Sequence, residues 1–187
     1  MRKALVAALL LCATQAHAAI IHYAAELGPE VSGATGTGFV TVDYDTDAHT
    51  LLIDAEWSGL SGTTTVAHIH CCVSPPGTVG VAVTPVTLPG FPVGVSAGNY
   101  TSPLLDLTDA GTFTDAFITA FAGGVLADAE ETLIAGFNAG TAYFNIHSST
   151  FPGGEIRGFL QQVPEPATLA LLGLGLAGLG FARRPKK

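Results

Sequence analysis

Two histidines two residues apart, followed at once by two cysteines, make up most of "VAHIHCC" at residues 66–72. Imidazole nitrogens and thiolate sulfurs together suit Zn or Cu. A further histidine, His147, ends the run "TAYFNIH" at 141–147. Read as a strand, "TTTVAHIHCC" places Thr64, Val66, His68, His70 and Cys72 on one face. Thr65, Ala67, Ile69 and Cys71 take the other. In the same way Tyr143, Asn145 and His147 share a face opposite the apolar Ala142, Phe144 and Ile146, which should point to the core. Paired strands lie about 4.8 Å apart. If these two are neighbours, His68, His70 and His147 converge on a site for Cu or Zn, with Cys72 as an added sulfur. The plain alternative is that histidines on a half-exposed strand hydrogen-bond only to neighbours and water.

Cys71 and Cys72 are the only cysteines besides Cys12. An exported chain meets an oxidising compartment, where free thiols rarely persist. Three states stay open: a vicinal disulfide, thiols bound to metal, and an intermolecular bridge. The vicinal bond demands a tight turn, because neighbouring Cα atoms across a trans peptide are about 3.8 Å apart and disulfides usually begin near 4.4 Å.

Other chemical patterns weaken on inspection. "DYDTDAHTLLID" offers Asp43, Asp45 and Asp47 at calcium-loop positions 1, 3 and 5. Ala48 stands where that loop needs Gly, and Asp54 where it needs Glu; a turn between two strands explains it better. Gly173, Gly175 and Gly178 match G-x-G-x-x-G, but no strand precedes them and no βαβ unit surrounds them. The histidines lack a nucleophile and orienting carboxylate at recognisable spacing. His22 and His49 read as surface or turn residues. Arg157, in "EIRG", reads as the partner of Glu155 or another carboxylate in the sheet.

The elements that must position the histidines lie between two addressing segments. Residues 1–18 carry Arg2 and Lys3, an apolar run, and Ala16-His17-Ala18, the signature of a signal peptide cut after Ala18. Residues 167–182 are apolar or neutral, short for the about 20 residues of a membrane helix. The cations Arg183, Arg184, Lys186 and Lys187 follow, favouring the cytoplasmic side and hence export of the body. Of 15 acidic residues 14 fall in 19–162, and of seven basic residues only Arg157, a net charge of −13. That excess argues against nucleic acid and anionic membrane surfaces as partners.

Within 19–162 the pattern is mostly strand. "AIIHYAAEL" (19–27), "GFVTVDYD" (38–45) and "TLLIDAEWSGL" (50–60) precede the histidine strand. In the second of these, Val40, Val42 and Tyr44 oppose Phe39, Thr41 and Asp43. The Pro- and Gly-rich 75–100 reads as largely loop. One or two short helices are expected between about 113 and 138, where Val125, Ala129, Leu133 and Phe137 recur every fourth residue. Residues 141–160 read as a hairpin around Pro-Gly-Gly. The predicted fold is a single mainly-β, Greek-key or immunoglobulin-like sandwich with one or two short helices.

Three stretches together resemble the CHRD (chordin-type) domain: "DYDTDAHTLLI", "WSGLSGTTTVAHIH" (57–70) and "GTAYFNIHSSTFPGGEIRG" (140–158). The resemblance covers most of 19–162 and implies an extracellular β-sandwich module with no settled enzymatic activity. The usual CHRD form continues with Gly after the second histidine, where this chain has Cys71-Cys72. The tail resembles a PEP-CTERM sorting signal: Pro164-Glu165-Pro166, a short apolar helix, then the basic cluster with Arg183 and Arg184. That resemblance implies a Gram-negative bacterium making exopolysaccharide, an exosortase-type membrane enzyme as partner, and a protein held briefly by its C-terminal helix before reaching the cell surface or matrix. The H-x-H pair also resembles the copper-ligand strand of Cu/Zn superoxide dismutases, over two residues only. The expectation is therefore a non-enzymatic structural or interaction module among exopolysaccharide or matrix proteins. A Cu or Zn module through His68, His70 and His147 is the first alternative, and a dismutase-like metalloenzyme the second.

Overall fold

The computed structural model describes residues 19–164 together with positions 173 and 175. The expected signal peptide with its cleavage at Ala18 lies outside the described residues. So do Glu165, Pro166, Arg183, Arg184 and, apart from those two positions, the expected membrane helix 167–182. Among the described residues no helix is long and apolar enough to cross a membrane.

Alternating burial makes the first three strands. β1 (Ile20–Pro29), β2 (Thr37–Asp45) and β3 (Thr50–Ser58) bury every second residue. Val40 and Val42 are fully buried and Tyr44 nearly so, the three sharing one face as alternation predicts. The β2–β3 turn is closed by Asp45, whose Oδ1 accepts from the Asp47 and Ala48 amides at 2.9 Å each. A carboxylate used this way shapes a turn.

β4 (Thr64–His70), β5 (Val81–Val83), β6 (Gly98–Thr101) and β7 (Leu105–Asp106) follow, and β8 (Tyr143–Ser148), β9 (Ile156–Phe159) and β10 (Gln161–Gln162) close the body. All pairings are antiparallel, in the order β5-β4-β8-β9-β1-β2-β3-β6, with β10 on β1 and β7 on β3. The chain is thus mainly β, and the two layers expected of a sandwich are halves of one curled sheet. β1 belongs to both: Ile20–Leu27 pairs with β2, whereas Gly28–Pro29 pairs with β9. Apolar side chains from both halves meet in one core.

Two short helices cover the end of that core. α1 (Asp115–Phe121) starts at Thr114, whose hydroxyl accepts from the Phe117 amide, the usual way to satisfy an orphan amide. Gly123 and Gly124, with φ of +62° and +81°, stop it. The fourfold recurrence resumes in α2 (Ala129–Asn138), which buries Ala129, Leu133 and Phe137 completely and sets Phe137 against Tyr23 at 5.0 Å between ring centres. Val125 extends the sequence pattern but not the helix, and is exposed.

Candidate metal centre

The site begins with β4 and β8, which are neighbours. Their register sets His68 opposite Asn145, His70 opposite Tyr143 and Val66 opposite His147. On one side Ala67, Ile69, Ala142, Phe144 and Ile146 enter the core with no exposure. The period of two then forces His68, His70, Asn145 and His147 onto the other side.

That second face is covered. The segment 73–88, which includes β5, folds over it and is pinned at both ends. The Leu88 amide donates to the Ala67 carbonyl at 3.0 Å, and the Thr87 hydroxyl accepts from the Ala67 amide at 3.1 Å. At the other end Arg157 donates to the carbonyls of Pro76 (2.6 Å) and Gly77 (3.0 Å), and the Tyr143 hydroxyl donates to Val79 at 3.3 Å. His68 and His70 are left 6% and 7% exposed; His147 stands half-buried at the rim.

Each ring is then anchored by one nitrogen on a backbone carbonyl. His68 Nε2 meets Val86 at 2.9 Å, His70 Nδ1 meets Val79 at 2.8 Å, and His147 Nδ1 meets Pro152 at 2.8 Å. A carbonyl only accepts, so these nitrogens carry the protons, an assignment made from the hydrogen bonds. The lone pairs therefore sit on His68 Nδ1, His70 Nε2 and His147 Nε2. One ring nitrogen from each histidine lies within 4.8 Å of the other two. His68 Nδ1 and His147 Nε2 are 3.4 Å apart. Two nitrogens bound at about 2.0–2.1 Å to one tetrahedral ion would be separated by about 3.3–3.4 Å.

Burial tunes His68 and His70. Desolvation is the main cause that pushes His68 down to about 4, and the nearby His147 and His70 add to it against the Val86 carbonyl. His70 is lowered by burial as well, partly offset by Val79 and Asn145. Neutral imidazole is the form a metal requires.

The remaining predicted residues go elsewhere. Cys71 and Cys72 are joined as a disulfide and linked by a cis peptide bond. Alternation would keep Cys72 on the histidine face, but β4 ends at His70. The Cys72 sulfur instead lies 3.9 Å from the Thr132 carbonyl on α2, where Gly136 leaves room for both sulfurs. The three-histidine group therefore contains no sulfur. Arg157 pairs with Glu30 at 3.3 Å rather than with Glu155. The Glu155 side chain is fully buried and accepts from the Ser61 amide. His22 faces Asp43 at 2.7 Å, and His49 faces Glu130 at 2.9 Å. The anchoring carbonyls of Val79, Val86 and Pro152 leave no trace in the sequence pattern. Asn145 did leave one, since alternation puts it on the His147 face.

The fold and this face define a class: an antiparallel β module carrying a covered cluster of three histidines. Residues 18–160 match the CHRD domain, and the chain belongs to that family. Residues 162–185 match the PEP-CTERM protein-sorting motif, which points to an exported protein handled by exosortase-type sorting machinery. No curated protein and no solved structure matches the chain.

Proposed function

We propose that the exported body is a metal-binding module that holds one Zn or Cu ion on His68, His70 and His147 and serves a structural or interaction role at the cell surface or in the matrix, without catalysis. The observation that carries this is the facing pair His68 Nδ1 and His147 Nε2 at 3.4 Å. Both rings give their protons to carbonyls on the far side, so two lone pairs confront each other. A cation between them turns that repulsion into two bonds. A ring nitrogen held on a carbonyl is also how metal-binding histidines are commonly oriented.

Charge supports the interaction role. The one cation of the body, Arg157, is ion-paired and mostly buried, so the described surface is acidic. Such a surface stays soluble outside the cell and favours cationic or cation-bridged contacts with exopolysaccharide or matrix proteins. The C-terminal segment would hold the protein in the membrane only until processing. Mass spectrometry of the mature C-terminus tests that part: an intact "ARRPKK" end contradicts sorting by cleavage.

For the metal, the purified protein is loaded with Zn(II) or Cu(II), desalted and analysed for elements. One tightly retained equivalent is expected. Retention of neither ion in stoichiometric amount overturns the reading.

A further inference from the structure

We infer that Asn145 supplies a fourth ligand through its carboxamide oxygen, closing the histidine site. This rests on the three-histidine reading and extends it. Asn145 is 1% exposed and lies on β8 between His68 of β4 and Arg157 of β9. Its Oδ1 stands 3.1 Å from His70 Nε2. The Val79 carbonyl already takes the proton of His70 Nδ1. A neutral imidazole has only one N–H, so His70 Nε2 presents a lone pair to an oxygen that also only accepts.

The usual escape is to turn the amide over, and here it is opposed. Asn145 Nδ2 points to Glu30 Oε2 at 3.5 Å. Glu30 is itself held by Arg157, whose guanidinium lies over the Tyr143 ring at 5.0 Å. Turning the amide would aim Oδ1 at that carboxylate, trading one clash of acceptors for a worse one. Gly154 keeps the arrangement open. Its φ is +129°, and a Cβ there would run into the Glu30 carboxylate and crowd Asn145 Nδ2.

Two pairs of acceptors thus face each other with no proton between them: His68 with His147, and His70 with Asn145. One cation relieves both. The resulting set is three imidazole nitrogens and one neutral oxygen, which suits Zn or Cu rather than Ca or Mg. Four protein ligands also make a closed site, the structural kind, without the open position that catalytic zinc keeps.

The test follows Asn145 in the unmodified chain. In 15N-labelled protein, Zn(II) should shift the side-chain amide signals of Asn145 in step with occupancy. In chelator competition, Asn145→Ala should bind Zn(II) at least about 10-fold more weakly, the lower bound for loss of a supporting group, and Asn145→Asp should restore binding. If the chain retains one Zn(II) while the Asn145 signals stay fixed and Asn145→Ala matches the parent, the fourth ligand is overturned and the three-histidine site stands. If the chain retains no metal, both fall. The amide measurement does not depend on whether a variant folds.

Discussion

Among the described residues the histidines are of two kinds, and their partners separate them. His22 and His49 each face a carboxylate, Asp43 and Glu130. His68, His70 and His147 each face a backbone carbonyl. A carboxylate brings a full negative charge to the ring and holds it by a hydrogen bond at the surface. A carbonyl fixes one nitrogen, adds no net charge and leaves the other nitrogen turned toward its neighbours in the cluster. The first arrangement makes a modest tether between elements. The second makes a donor, and three such donors on one covered face make the proposed metal site. Residue type alone does not distinguish the two; the partner does.

Ligand removal should separate the groups most. His68→Ala or His147→Ala should lower Zn(II) affinity by about 100-fold or more, beyond the about 10–100-fold expected for a supporting residue. His22→Ala and His49→Ala should leave it unchanged. Isothermal titration reads all four, and an equal loss across them would erase the distinction.

Acid should act next. His68 is held near 4 in the folded protein, against an ordinary 6.5. Between those values the unfolded chain takes up a proton that the folded chain refuses. Stability contributed by keeping this ring neutral is therefore lost as pH falls from about 6.5 toward about 4 and changes no further below. The ceiling for one such ring is about 3 kcal/mol. Urea denaturation of metal-free protein at pH 7 and pH 4 should show a smaller loss in His68→Gln than in the parent. Identical losses would contradict the burial argument.

The tether should matter least. His49 is half exposed and Glu130 also accepts from the Tyr44 hydroxyl at 2.6 Å. His49→Ala should cost at most about 1 kcal/mol, as exposed pairs do, measured by the same denaturation. A larger loss would mean that the surface group is structural in its own right.

Much of this was legible in the sequence, because strands speak with a period of two. Alternation puts Val40 and Val42 together on one strand face, turns Phe144 and Ile146 to the core, and sets His68 and His70 on one face of their strand and His147 on the polar face of its own. The fourfold recurrence at Ala129, Leu133 and Phe137 likewise marked α2, although Gly123 and Gly124 left Val125 outside it. What stayed hidden depends on backbone groups and on contacts far apart in the chain. The carbonyls of Val79, Val86 and Pro152 belong to loops, and carbonyls are the same in every residue. Glu30 reaches Asn145 across 115 positions, through a register that only the folded sheet sets. Cys72 was misplaced because alternation holds only while the strand lasts, and β4 ends at His70.

X-ray absorption at the zinc edge of the loaded protein tests the central claim most directly. The account predicts a shell of three imidazoles at about 2.0–2.1 Å with no sulfur. A sulfur shell at about 2.3 Å, or a spectrum without imidazole scattering, would contradict it.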